Sequence, residues 1–481
     1  MKPVHLALCA LAATLAGCAG MPSKPAPVVL PDKAPLGDFT HKGGAWPTSD
    51  WWRRYRDPTL DRLIDTALES APTLATAHAR FDSAREAVRL AGAASGARVD
   101  LRGSAERQRL SDNGLFPPKL LGFQWYNQAD LGLQASYTFD WWGKQRATVE
   151  AALDEAQAAE AERAAAASAL ASSVANAYFG WQADENRLAL AHRRLDAVER
   201  AAAIAHARVD AGLDPADAVP RSDSAVAAAR EAIASLEGSA KMRVVAIAAL
   251  VGRSTADLPP LNRKPLPEVS AALPDDVKID LISRRADITA SRWRVEAAQK
   301  TSESARAAFF PDISVNALAG LSSIDFGKLL EYGSRVPQAS VALHLPVFDA
   351  GLLRSQYAAS RASVRAAIAQ YDQTVVDAAR DVATQAAARE QAAAERAQRT
   401  IQVDAAREVQ DSASAQVRQG ITDERIELAA ALALIDEQDA MIQLDAAALI
   451  ADIGLQRALG GGYGNPQRVA EIHSNSTKPT P

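Results

Sequence analysis

The chain has 481 residues, is 48% hydrophobic but only 5% aromatic, and carries 53 basic against 58 acidic residues for a net charge of -5. Alanine is the commonest of its apolar residues, which suits long, closely packed helices better than a bulky globular core. With no concentrated basic stripe it is no nucleic-acid binder, and its two cysteines cannot staple a disulfide framework.

Lys2 precedes an apolar stretch from Val4 to Leu15, too short to span a membrane as a helix and of the kind found in a secretory signal. It ends in "LAGC" at residues 15–18, which resembles the lipobox of bacterial lipoproteins. That resemblance implies a signal peptide at 1–17, cleavage before Cys18 and covalent lipid on it. Ala19 stands where an Asp would imply inner-membrane retention, so the expected address is the outer membrane. Cys9 leaves with the signal. Residues 18–58, including the proline-rich "MPSKPAPVVLPDKAPLGD", form an extended tether and a first contact segment.

Beyond the tether the chain repeats itself. Gly143, Gly212 and Gly252 recur 208 residues later as Gly351, Gly420 and Gly460, and Arg146 recurs as Arg354. This predicts a tandem duplication, with repeat 1 over 59–263 and repeat 2, with a C-terminal tail, over 264–481. Each repeat opens with a helix, from Thr73 to Ala97 and from Leu281 to Phe309. Two alternating segments follow in each, predicting strands at about 98–109, 128–142, 311–322 and 337–349. Their apolar residues are in register: Val99, Leu101 and Ala105; Leu131, Leu133 and Tyr137; Ile313, Val315 and Ala317; Val341, Leu343 and Val347. His344 falls in the opposite, polar set. Aromatics bracket the strands at Trp141, Trp142, Phe309, Phe310 and Phe348, where a lipid-headgroup girdle would sit.

Each strand pair runs through one glycine into a very long helix, from Gly143 to Gly212 and from Gly351 to Gly420, about 100 Å at ~1.5 Å per residue. Shorter helices return to Gly252 and Gly460. The charge-free stretch 164–181 is too rich in alanine and serine for a membrane span and predicts tight helix packing instead. Four strands facing lipid leave two unpaired edges, so several copies must join to close a barrel. The predicted class is an α+β membrane protein.

"WWRRYRDPTLDRLIDTAL" at 51–68, "RRADI" at 284–288, "AAFFPDISV" at 307–315, and "VFDA" followed by "GLLR" at 351–354 resemble the outer membrane efflux proteins, the TolC-like family, in its NodT-type lipoprotein branch. The resemblance implies a homotrimer whose twelve strands, four per chain, form one outer-membrane β-barrel continued by a long periplasmic α-helical barrel. It implies a passive exit duct in a Gram-negative outer membrane for drugs or other small toxic molecules. The partners implied are a periplasmic adaptor (membrane fusion) protein and an inner-membrane pump of the RND or the facilitator type. Ala286 departs from the family's usual proline and should loosen a helix start locally.

In such a duct the entrance lies where Gly212 and Gly420 reverse the chain. Asp214, Asp217, Asp423, Glu424 and Glu427 crowd there with Arg425 among them, and threefold repetition of like charges would focus a field on the axis. The family's Asp six residues after the turn glycine is replaced by Ala218 and Ile426, which leaves open which acid lines the constriction. Arg425 is expected to tie to a carboxylate of the neighbouring turn. There is no HExxH, P-loop or dinucleotide fingerprint, and no cofactor or metal is expected beyond the lipid. "GGGYGNP" at 460–466 reads as a helix stop. The alternative from another class is a structural, alanine-rich coiled-coil lipoprotein without transport activity.

Overall fold

The computed structural model describes residues 23, 25–31, 33–35, 42–114, 117–269, 273–274 and 277–464. The expected signal peptide, Cys18 and the C-terminal tail lie outside them. Two compact units share the chain, one built from Asp82–Ala158 and Arg292–Gln370, the other from Leu30–Phe81, Ala159–Ser291 and Tyr371 onward.

Besides one four-residue turn of helix at Pro118–Leu121, eight α-helices carry the fold among the described residues: α1 (Pro58–Ser70), α2 (Pro72–Ala94), α3 (Lys144–Asp210), α4 (Ala218–Val251), α5 (Val277–Arg284), α6 (Ala286–Ala307), α7 (Leu352–Arg418) and α8 (Glu424–Ala458). The duplication is visible in their lengths. Helices α3 and α7 have 67 residues each and start and stop at the same 208-residue offset. Helix α6 still starts at Ala286, with Asp287 in its first turn. No helix among the described residues is long and apolar enough to cross a membrane.

The first unit holds one antiparallel sheet of β1 (Arg98–Arg109), β2 (Trp125–Phe139), β3 (Asp312–Ser323) and β4 (Arg335–His344), in that order. Paired residues share a face. Leu101 lies opposite Leu133, Leu133 opposite Ala319, Tyr137 opposite Val315, Ile313 opposite Leu343, and Val315 opposite Val341. The apolar sets of all four strands therefore form one continuous face, as their period-two pattern requires. Much of that face is bare among the described residues: Leu101 is 69% exposed, Leu133 51% and Val341 73%. The other face carries Asp100, Gln134, Ser314, Asn316, Ser340 and His344. Strands β1 and β4 each have one unpaired edge.

Two strands differ from expectation at both limits, β2 running 125–139 in place of 128–142 and β4 running 335–344 in place of 337–349. Strand β2 starts at Trp125, and β4 stops at His344, leaving Val347 and Phe348 outside it. Pro346, with no N–H to give to a ladder, accounts for the early stop. At the helix-bearing ends of the strands Trp142 stacks on Phe310 at 4.6 Å and donates to the Pro311 carbonyl at 3.0 Å. A carboxylate closes each strand-to-helix turn. Asp140 accepts from the Gln145 and Arg146 amides, and Asp349 from those of Gly351 and Leu353.

The second unit has the aromatic core. Trp51, Trp52 and Tyr55 pack with Leu60, Leu63 and Ile64 of α1 against Leu170, Val174, Tyr178 and Phe179 of α3 and Ile247 of α4. The charge-free stretch of α3 is thus the wall on which the N-terminal segment docks. Asp57 fastens it: its carboxylate caps α1 through the Thr59 amide at 2.9 Å, accepts the Tyr178 hydroxyl at 2.6 Å and pairs with the Lys264 ammonium at 2.7 Å. Burial works to raise the Asp57 pKa, but the hydrogen bonds from Lys264, Tyr178 and Thr59 outweigh it and hold it below the usual carboxylate range. Gln182 completes the network, donating to the Tyr178 oxygen and the Asn262 carbonyl, both at 2.9 Å.

Candidate functional site

Both long helices end on the same device. After α3 the Gly212 amide bonds the Val209 carbonyl at 2.9 Å and the Leu213 amide bonds that of Arg208 at 2.8 Å. After α7 the Gly420 amide bonds the Val417 carbonyl at 3.0 Å and the Ile421 amide bonds that of Gln416 at 2.9 Å. These are Schellman closures, which need left-handed backbone at the glycine, and φ is +67° at Gly212 and +73° at Gly420. Leu213 and Ile421, which follow, are 65% and 68% exposed.

Every predicted acid at these turns has a partner within the chain. Arg208, in the last turn of α3, donates through Nε and Nη2 to the two carboxylate oxygens of Asp214 at 2.8 and 2.9 Å. Asp423 caps α8 through the Arg425 amide at 2.8 Å, and the Arg425 guanidinium folds back onto the same carboxylate at 2.7 Å. Arg425 also lies 3.9 Å from Asp214. Asp217 pairs with Arg221, Glu424 with Arg200 of α3, and Glu427 accepts the Ser414 hydroxyl at 2.7 Å.

The acids expected to crowd the two turns stand in an alternating ion network, Arg208–Asp214–Arg425–Asp423, that spans both turns. Exposed carboxylates beside the basic last turn of a helix draw its arginines in. Arg425 binds first to its own turn and more distantly to the other. The Arg208 guanidinium holds the Asp214 pKa below the usual carboxylate range, and that of Arg425 does the same for Asp423. Sequence reading missed Arg200, Arg208, Arg221 and Ser414. Arg208, in the last turn of α3 six residues before Asp214, and Arg221, four residues after Asp217, each carried a local signal. Among the described residues no group of three or more His, Cys, Asp or Glu side chains is placed to hold a metal ion.

Comparison with known proteins places this geometry. The chain matches the outer membrane efflux protein family at residues 63–253 and again at 280–461. It is 32% identical to the multidrug resistance outer membrane protein MdtP of Escherichia coli (strain K12) over 472 residues, covering 95% of this chain and 97% of the relative. It is also 32% identical to the multidrug resistance outer membrane protein MdtQ of Escherichia coli O6:H1 over 468 residues, covering 93% and 96%. Among solved structures it resembles the outer membrane protein VceC from Vibrio cholerae with a TM-score of 0.77 and 30% identity, covering 87% of this chain and all of that one.

Proposed function

The chain belongs to the outer membrane efflux protein family, and from that premise we propose how it works as an outer-membrane exit duct. The observation that carries the reading is the sheet: four antiparallel strands with one bare apolar face and two unpaired edges. In lipid each open edge would leave backbone donors and acceptors unsatisfied, at several kcal/mol per group. Three copies close twelve strands into one barrel, with the apolar face toward lipid and the polar face lining the lumen.

The long helices of the three copies continue as a periplasmic barrel. Its entrance is formed by the Gly212 and Gly420 turns, where a periplasmic adaptor docks and passes cargo from an inner-membrane pump of the RND or facilitator type. The cargo is drugs or other small toxic molecules, in keeping with the names of the relatives. The duct is passive and is not an enzyme. Arg425 is a tie across the entrance, since it can hold Asp423 and Asp214 of the two turns together. Cys18 carries covalent lipid as a second anchor, and a chain left unlabelled by metabolic palmitate would remove that anchor.

Planar-bilayer recording of the purified full chain tests the duct directly. Stepwise single-channel currents are expected. A structural coiled-coil lipoprotein would give none, and silence from a correctly assembled oligomer would overturn the reading.

A further inference from the structure

The outward face of the sheet changes chemistry at the end of the strands that carries the loops. On β1 the series Val99, Leu101 and Ala105 runs on to Arg107 and Arg109; on β2 the same face carries Trp125, opposite Arg109; on β4 it begins at Arg335, opposite Leu321. All three arginines are exposed. The Arg107 guanidinium lies over the Trp125 ring at 5.5 Å and that of Arg335 over the Tyr332 ring at 4.2 Å. Arg109 reaches Asp112 at 3.7 Å, whereas Arg107 and Arg335 form no ion pair among the described residues.

Closing the barrel concentrates these charges. Strand β1 ends at the loop-bearing rim and β4 begins there, so an antiparallel join puts β4 of one protomer beside β1 of the next, about 4.8 Å away. Arg335 then lies at the loop-bearing end of its strand, as its neighbour's Arg107 and Arg109 do of theirs, at three seams. Guanidiniums gathered at the edge of an apolar band repel one another unless an anion lies between them. A zwitterionic headgroup does not supply that compensation; a phosphate monoester does, and it fits the planar guanidinium fork with two parallel hydrogen bonds.

We propose that Arg107 and Arg335, backed by Trp125 and Tyr332, form at each seam a docking surface for the phosphate groups of a phosphorylated glycolipid in the outer leaflet. The proposal rests on the trimeric barrel.

The test uses the detergent-solubilised full-chain oligomer and a fluorescent deep-rough lipopolysaccharide carrying both lipid A phosphates, compared with the same lipid after enzymatic dephosphorylation and with phosphatidylglycerol. Affinity for the phosphorylated glycolipid is expected to exceed that for the other two by about tenfold or more. The double variant Arg107→Gln/Arg335→Gln should lose that margin, and Arg102→Gln, on the lumen face, should keep it. Equal affinity of the wild type for phosphorylated and dephosphorylated lipid overturns the proposal without reliance on any variant. Equal affinity for phosphatidylglycerol, or equal loss in Arg102→Gln, overturns it too. A chain that forms no heat-resistant trimer before lipid is added breaks the barrel reading beneath it instead.

Discussion

Replacing Leu133 by arginine tests which face of the sheet meets lipid. Leu133 lies near the middle of β2, between Leu101 on β1 and Ala319 on β3, and is 51% exposed on the apolar face. A guanidinium at the midplane of a lipid-facing barrel surface costs about 2–4 kcal/mol. Three copies bring this to about 6–12 kcal/mol per trimer, as large as the whole net stability of a typical protein. Gln134→Arg moves the same charge one residue along and onto the polar face, where Asp100 lies directly opposite. Unboiled outer-membrane fractions on denaturing gels report the heat-resistant oligomer. Leu133→Arg should abolish it and Gln134→Arg should leave it, with single-channel currents following the same split. Equal loss for both variants, or equal survival, would refute the assignment of faces.

Asp57→Ala removes a helix cap and strands the Tyr178 hydroxyl and the Lys264 ammonium, so it should cost about 2–4 kcal/mol, read as accelerated proteolysis between residues 46 and 60; wild-type resistance would dismiss the network as incidental. Asp154 on α3 is pushed up to about 6 by burial and by Glu296, Glu150 and Glu155, against the opposing charge of Lys300. The folded form therefore holds a proton that the unfolded chain has lost, so this group's contribution to stability falls as pH rises from about 4 to about 6. Asp154→Asn should flatten that slope and raise the melting temperature above pH 6, and an unchanged profile would sink the assignment. At the entrance, Asp214→Asn with Asp423→Asn retains the α8 cap but leaves Arg208 and Arg425 without their carboxylates, turning a balanced network cationic, and should shift bilayer currents toward anion selectivity; unchanged ion selectivity would place the constriction elsewhere, with Asp217 and Glu427 the next candidates. Arg425→Ala should raise open frequency at rest, and an unaltered closed time would exclude it as a tie.

Features with a period or a special backbone angle were legible in the sequence. The four strands and their common face follow from alternation alone, and the glycines at 143, 212, 351 and 420 all take positive φ. What was not legible depends on residues far apart in the chain. Arg200 and Glu424 are separated by 224 positions, and Asp57 and Lys264 by 207, so no local pattern ties either pair. At the turns the sequence shows carboxylates crowding a loop with Arg425 among them, but not that Arg200 and Arg208 of helix α3 lie alongside. The docking segment 51–57 shows a related limit: its aromatics announce burial, yet only the structure names α3 as the wall and Tyr178 as the clasp.

The equal lengths of α3 and α7 act as a matched pair of rulers. A single residue inserted into one of them would turn everything beyond it by about 100° and advance it by ~1.5 Å, while the other stayed as it was. Arg425 could then no longer reach both Asp423 and Asp214, because the two turns would end at different heights and face different ways. Length changes in this chain should therefore be tolerated only as coordinated events, the same number of residues in both halves, and best as whole heptads that also restore the facing side chains. The duplication thus leaves each repeat as the gauge against which any change in the other is checked.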